Sequence, residues 1–205
     1  MDEYSKIAPY YEKLLGKPLY PIRNNIRTFI ISQGHRRVVD MCCGTGKQLE
    51  MLLGADMDLI GVDNSQAMMS QSRQKDGIRL LQNNAIDIDL PEKGFDAAIL
   101  TFSLHEKDEV EREILLEKTW NLVRIGGHLL VGDYCRVPLT LRGFMWGKII
   151  IPMVERAAGK NHYLNYSAWM RNGALEQHIG KITTGKKLIA RHFNGTVALY
   201  SIERK

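Results

Sequence analysis

Short apolar runs, each bounded by Gly, Asp or Asn and separated by helix-patterned segments, constrain this chain more than any other feature. The runs are RVVDMC (37–42), LIGVD (59–63), IRLLQ (78–82), FDAAILTF (95–102) and HLLVGDY (128–134). They lack the polar alternation of a half-solvated strand, so they read as strands covered on both faces. Between them, KQLEMLLG (47–54) reads as a helix closed by Gly54 and SQAMMSQSRQ (65–74) as a helix opened by Ser65. A third helix, DEVEREILLEKTWNLV (108–123), has Val110, Ile114, Leu115 and Leu122 as its apolar stripe. Its Asp108, Glu109 and Glu111 suit the positive end of the helix dipole. Strand, helix, strand in succession predicts a Rossmann-like, doubly wound α/β sheet.

The end of the chain departs from that rhythm. LIARHF and TVALYSIER flank Asn194-Gly195, a dipeptide suited to the two positive φ angles of a type I′ turn. The sheet should therefore be mixed, seven-stranded, and end in an antiparallel C-terminal hairpin. Residues 136–180 follow neither pattern and read as an insertion, a helical lid near the strands' carboxyl ends. We expect one domain over 1–205, with core segments 36–135 and 181–205 and lid segments 1–20 and 136–180.

The formal charge of +5 is spread thinly, without a basic run, so a nucleic-acid partner is not expected. Three cysteines, Cys42, Cys43 and Cys135, form no CxxC pair and suit a reducing compartment. Cys42 and Cys43 at an extended strand end would point apart, so no metal site is expected. The opening MDEYSKIAPYYEK has no basic region followed by an apolar one, so a cytoplasmic location is the default expectation.

The loop VVDMCCGTGKQ (38–48) fixes where a ligand would sit. Asp40 ends the first strand, and Gly44 and Gly46 allow a sharp turn with amides facing the next helix. A phosphate-binding P-loop would need Gly at 41 and Ser or Thr at 48, where Met41 and Gln48 stand. A dinucleotide loop would need Gly or Ala where Leu49 stands, which weakens a nicotinamide-cofactor reading. Asp63 ends the second strand, where a carboxylate can accept both hydrogen bonds of a ribose diol.

Taken together, VVDMCCGTG, LIGVDNSQAMM, NNAIDI, FDAAILTFSLH and VRIGGHLLVGDY resemble, in order and spacing, the motifs of class I S-adenosylmethionine-dependent methyltransferases over most of residues 36–134. Within that class the chain looks most similar to the ubiquinone/menaquinone-biosynthesis type. YSKIAPYYE resembles that type's opening, with Tyr4 and Tyr11 at its aromatic positions, and IPMVERAAGKNHYLNY resembles its substrate-carrying segment. The resemblance implies S-adenosylmethionine as cofactor. Asp40 and the Gly44/Gly46 loop would hold its methionine moiety, Asp63 its ribose, and Met68 would pack beside adenine. Thr101 would lie near the methionine end, and Tyr11, Met41, Cys42 and Asn64 around the same ligand. Asn84 replaces the acid usual in the adenine motif; its side chain carries an acceptor for the exocyclic amine, and Ala85 would give its backbone amide.

Attack on a sulfonium methyl releases a neutral thioether, so such an enzyme mainly aligns reactants and excludes water. His105 is the candidate base, because imidazole titrates near neutrality and this residue follows the fourth strand. Asp133 and Tyr134 end the fifth strand at the same edge and are further candidates for substrate contact. LTLRGFMWGKIIIPMV (139–154) offers Phe144, Met145, Trp146, Ile149 and Ile150 for a hydrophobic pocket, with a lid helix packed on the domain preferred to a membrane-surface element. His162, Tyr163, Tyr166 and Trp169 suit a ring-shaped or lipophilic acceptor. The expectation is methyl transfer to a small molecule. An NAD(P)-dependent oxidoreductase and a non-catalytic S-adenosylmethionine-binding protein are the alternatives.

Overall fold

The computed structural model describes residues 2, 4–54, 56–72, 76–182 and 185–205. Among these residues seven strands form one sheet in the order β3-β2-β1-β4-β5-β7-β6. β1 (Arg37–Met41), β2 (Asp58–Asp63), β3 (Ile78–Gln82), β4 (Phe95–Thr101) and β5 (Val123–Tyr134) are parallel. β7 (Val197–Glu203) runs antiparallel between β5 and β6 (Lys186–His192). The order reverses between β1 and β4, the point at which a doubly wound sheet opens a crevice beyond its carboxyl ends.

Successive side chains of a strand face opposite sides, and here they divide the core in two. Val39, Met41, Ile60, Val62, Leu100 and Leu129 pack toward α4 (Glu109–Leu122) and α8 (Ala174–Gly180). Val38, Leu59, Ala97, Ile99 and Leu130 face α1 (Ala8–Ser32) and α2 (Lys47–Leu52). In α1, Leu19, Ile22, Ile26 and Ile30 are buried at three- and four-residue steps, the seam of a helix laid on a sheet. The expected lid boundary at residue 20 thus falls inside one continuous helix.

Several local expectations need correction. α2 ends at Leu52, and Leu53 leaves it in an extended conformation (φ −54°, ψ 127°), so Gly54 is not a left-handed cap. α3 (Gln66–Met69) starts as expected, with Ser65 Oγ accepting from the Met68 N–H at 3.1 Å, but is short; Arg73 and Gln74 of the expected helix lie outside the described residues. The hairpin loop holds four residues, 193–196, because His192 pairs with Val197. Phe193 joins Asn194 and Gly195 at positive φ, and Thr196 closes the turn by donating to the Phe193 carbonyl from its hydroxyl at 2.7 Å.

Asp108, expected as an acid at the positive end of α4, caps it by accepting from the Glu111 N–H at 2.9 Å, but only Leu115 and Leu122 of the expected stripe are buried. Val110 and Ile114 are 68% and 44% exposed, while Arg112, Leu115, Leu116, Thr119 and Leu122 are buried. Arg112 is tolerated inside because its guanidinium donates to the Leu104 carbonyl at 2.8 Å and the Asn165 carbonyl at 2.7 Å, and lies over the Trp169 ring. It ties the loop after β4 to α7 (Lys160–Arg171). Arg112→Ala is expected to cost about 3 kcal/mol by orphaning both carbonyls and opening a cavity, read as a Tm several degrees lower.

Residues 136–180 are largely helical: α5 (Leu141–Met145), a π-helical turn Trp146–Ile150, α6 (Ile151–Ala158), α7 and α8. The first three run on without a break. No helix among the described residues is long and apolar enough to cross a membrane.

Candidate active site

β1 delivers Asp40 to the carboxyl edge, and the chain then turns through three left-handed residues, Cys42 (φ 62°), Gly44 (φ 56°) and Gly46 (φ 69°). The turn is fastened to the end of β2. Asp63 accepts from the Gly44 N–H at 2.7 Å through Oδ2 and from the Ser65 N–H at 2.8 Å through Oδ1. Each oxygen keeps a further lone pair. Burial raises the Asp63 pKa, against the pull of these two amides.

Leu49, at the position where a dinucleotide loop needs a small residue, is fully buried. The small residue is Gly61 on β2, where an added Cβ would lie 2.8 Å from both the Leu49 Cδ1 and the Cys43 Sγ. Helix and strand approach closely, with the glycine on the other partner. Cys42 is left-handed rather than extended, and desolvation lifts its thiol to about 12 and that of Cys43 well above its usual value. Both are poor nucleophiles and poor metal ligands in this state.

A cleft of about 500 Å³ opens above these strand ends, under α1 and the 136–180 helices. Tyr11, Asp40, Cys42, Gly44, Asp63, Asn64, Met68, Asn84, Ala85 and Thr101 all line it, as do His105 and Tyr134. Three residues expected at the site stand back from its wall. The Met41 side chain lies wholly in the core because strand alternation sends it to the face opposite Asp40. Gly46 faces Ser72 and Leu80, and Asp133 sits fully buried behind His105.

Asp40 is the least compensated charge in the cleft. It is 3% exposed, and among the described residues no hydrogen bond reaches its carboxylate. Desolvation pushes its pKa up to about 8, with Arg23 only partly offsetting it. Arg23 comes from α1 and is held by Glu12 through two bonds of 2.7 and 2.9 Å; Glu12 also accepts from the Thr45 hydroxyl at 2.7 Å. Gln48 lines the same corner with its buried Oε1 unpartnered. An unpaired acid, a held guanidinium and an open amide oxygen suit the ammonium and carboxylate of an amino acid. At the other end, Asn84 accepts from the Ile86 N–H at 3.3 Å, a long bond that leaves its amide able to meet a ring edge.

The sheet's β4 and β5 ends carry a second polar group. His105 is 3% exposed, and its Nδ1 lies 2.6 Å from Asp133 Oδ1. Asp133 also accepts from the Leu104 and His105 amides and so fixes the ring. The Nε2 faces Glu155 at 3.7 Å and Glu106 at 3.9 Å, too far for hydrogen bonds. Burial opposes the charged imidazole, but Asp133, Glu106 and Glu155 outweigh it and raise its pKa to about 9. These carboxylates favour the charged imidazolium, so the ring must give up a proton before it can accept one. Tyr4 donates to Glu106 at 2.6 Å and Tyr134 to Glu155 at 2.9 Å.

Arg23, Glu12, Gln48, Glu106 and Glu155 were not anticipated as site residues. Arg23 adjoins the Leu19–Ile22–Ile26–Ile30 seam, whose period marks it for a position beside the sheet. Glu155 follows MV in an apolar helix, where an acid on the buried face is itself a signal. Of the expected aromatic acceptor residues, His162 lines the cleft, Tyr166 and Trp169 are buried supports, and Tyr163 lies outside under Arg156. Trp146 and Ile150 line the cleft, while Phe144, Met145 and Ile149 do not.

A family model described as a methyltransferase domain matches residues 38–127. Among curated proteins, the chain is 28% identical over 141 residues to a carboxy-S-adenosyl-L-methionine synthase of Helicobacter pylori, covering 64% of this chain and 57% of that one. It is 27% identical over 158 residues to a demethylmenaquinone methyltransferase of Oceanobacillus iheyensis, covering 70% and 64% respectively. The chain thus spans somewhat under two thirds of the length of these relatives. Among solved structures, the plantazolicin methyltransferase BpumL in complex with SAH superimposes with a TM-score of 0.66 at 13% identity, covering 98% of this chain and 90% of BpumL.

Proposed function

We propose, from the match of residues 38–127 to a methyltransferase-domain family model and from the strand order of the sheet, that the protein is a class I methyltransferase that transfers a methyl group from S-adenosylmethionine to a small molecule. The observation that carries the reading is Asp40, a buried carboxylate without a hydrogen-bond partner among the described residues, in a cleft that also presents Asp63 and Asn84. Asp40, with Arg23 and the Gly44 turn, would hold the methionine end. Asp63 would accept from the ribose hydroxyls, and Met68, Asn84 and Ala85 would take adenine. When bound, S-adenosylmethionine supplies a methyl on a positively charged sulfur, a group already activated for transfer.

The chain's own part is alignment and proton handling. Thr101, at the end of β4, stands between the two polar groups of the cleft. The acceptor end, bounded by His105, Glu106, Tyr134, Glu155, Trp146, Ile150 and Phe193, joins an apolar wall to a proton-accepting corner. An aromatic or lipophilic acceptor with an ionisable hydroxyl or amine fits both; the compound in the name of the Oceanobacillus relative, a lipophilic quinone, supports the apolar part of that reading alone. Asp133 is a positioning residue for His105; Tyr134 positions Glu155.

Calorimetric titration with S-adenosylmethionine, SAH and NADH tests the cofactor. Micromolar binding of the first two alone is expected; binding of NADH alone would overturn the reading. His105→Ala is expected to slow turnover about 100-fold with cofactor affinity within about twofold. If neutral His105 accepts a proton, wild-type kcat should rise with pH toward about 9, since the proton must leave first. His105→Asn should flatten that rise. An unaltered pH profile in the variant would remove His105 from proton transfer.

A further inference from the structure

The helical rod that starts at residue 141 buries one narrow face and leaves a broad apolar one outside. Its inner face is Gly143, Gly147, Ile151 and Glu155, buried at four-residue steps. The two glycines let the rod lie against the chain before it: an added Cβ would come within 2.4 Å of Pro138 at Gly143 and 2.5 Å of Val137 at Gly147. A seam made of small residues hides little surface, so the large side chains are turned outward. Leu141, Phe144, Met145, Ile149 and Met153 are 78%, 54%, 46%, 49% and 63% exposed, and Leu139 just ahead of them is fully exposed.

Chains that stay in water seldom leave an apolar patch of this kind uncovered. The charges beside it indicate what covers it. Residues 139–154 contain Arg142 and Lys148, both exposed, and no acid. A helix whose outer face is broadly apolar and carries only basic charge, its one acid Glu155 being buried on the inner side, suits the boundary between lipid headgroups and acyl chains. Two copies meeting through this face would bring four cations together with no carboxylate from the segment to pair them. We infer that the outer face of 139–154 docks on an anionic lipid surface. The adjoining side chains Trp146, Ile150 and Val154 line the cleft, so the docked face borders the acceptor end. Docking does not depend on the proposed activity, and its test needs no cofactor turnover.

The test is flotation of the purified protein with vesicles of phosphatidylcholine alone and of phosphatidylcholine containing about 30% phosphatidylglycerol. Wild type should float with the anionic vesicles and bind neutral ones at least about tenfold more weakly. Arg142→Gln with Lys148→Gln should lose about 25-fold, roughly fivefold per basic residue. Phe144→Ser with Ile149→Ser and Met153→Ser should abolish flotation while circular dichroism and Tm stay as in wild type. Absence of wild-type flotation on both vesicles, or flotation of the triple variant like wild type, would overturn the inference. So would a wild-type dimer in sedimentation velocity that the triple variant dissolves, because the face would then belong to self-association. A protein that fails to bind SAH yet floats would overturn the proposed function alone.

Discussion

Asp63→Ala is expected to weaken S-adenosylmethionine and SAH binding by about 100-fold or more, the largest single loss at the site. Two effects coincide. The ribose diol loses its acceptor, worth about 1.5–3 kcal/mol for each hydrogen bond to a charged group. The Gly44 and Ser65 amides also lose theirs, so the left-handed turn that shapes the cleft is no longer fastened to β2. Asp63→Asn should not rescue binding, since its NH2 would face one of the two N–H donors it replaces an acceptor for. Titration calorimetry reads the affinity, and a Tm within a few degrees of wild type would confirm that the domain is intact. Unchanged affinity in Asp63→Ala would remove the residue from the ribose.

Asp40→Asn should have opposite effects on the ligand-free and ligand-bound protein. In the folded chain Asp40 has a pKa of about 8 against an ordinary value of 3.8, so below 3.8 it is protonated both folded and unfolded. As pH rises from there toward 8, the folded chain must hold a proton that the unfolded chain has released, and stability falls throughout that window. Asparagine removes this penalty. The variant without ligand should melt about 5 °C higher at pH 7, and the difference should vanish near pH 4. With ligand the sign reverses, because the amide accepts from an ammonium without the carboxylate's charge, and affinity should drop about 100-fold. Wild-type affinity should itself rise between pH 6 and about 8 as Asp40 becomes ionised. A variant that is both less stable and unchanged in binding would sink the assignment.

Legibility in the sequence followed the kind of force at work. The strands declared themselves because residues buried on both faces leave continuous apolar runs, and β1 to β4 begin or end within a residue of those runs. β5 extends upstream to Val123 through Arg124, Ile125, Gly126 and Gly127, where backbone pairing and an irregular register hold the strand without an apolar pattern. Cleft residues on strand ends, such as Asp40 and Asp63, were readable because the topology delivers strand ends to one edge. Glu155 was not. Its place depends on how the lid helices fold back over the edge, a long-range packing outcome that no local spacing encodes, whereas Glu106 sits beside His105 in the turn after β4 and only its distant partner Tyr4 was hidden. Arg112 was hidden for a related reason: its burial rests on two carbonyls, one of them 53 residues away.

Among the described N-terminal residues, Asp2, Tyr4 and Glu12 are fastened to the far side of the cleft. Asp2 accepts from the Ser65 hydroxyl at 2.9 Å and the Ala67 amide at 2.8 Å, Tyr4 bonds Glu106, and Glu12 bonds Thr45. These fastenings close over Asp63 and Met68 like a strap across the doorway. A ligand at that end would have these bonds beside it, so breaking them by Asp2→Ala with Tyr4→Phe should speed its release, read as a faster SAH off-rate.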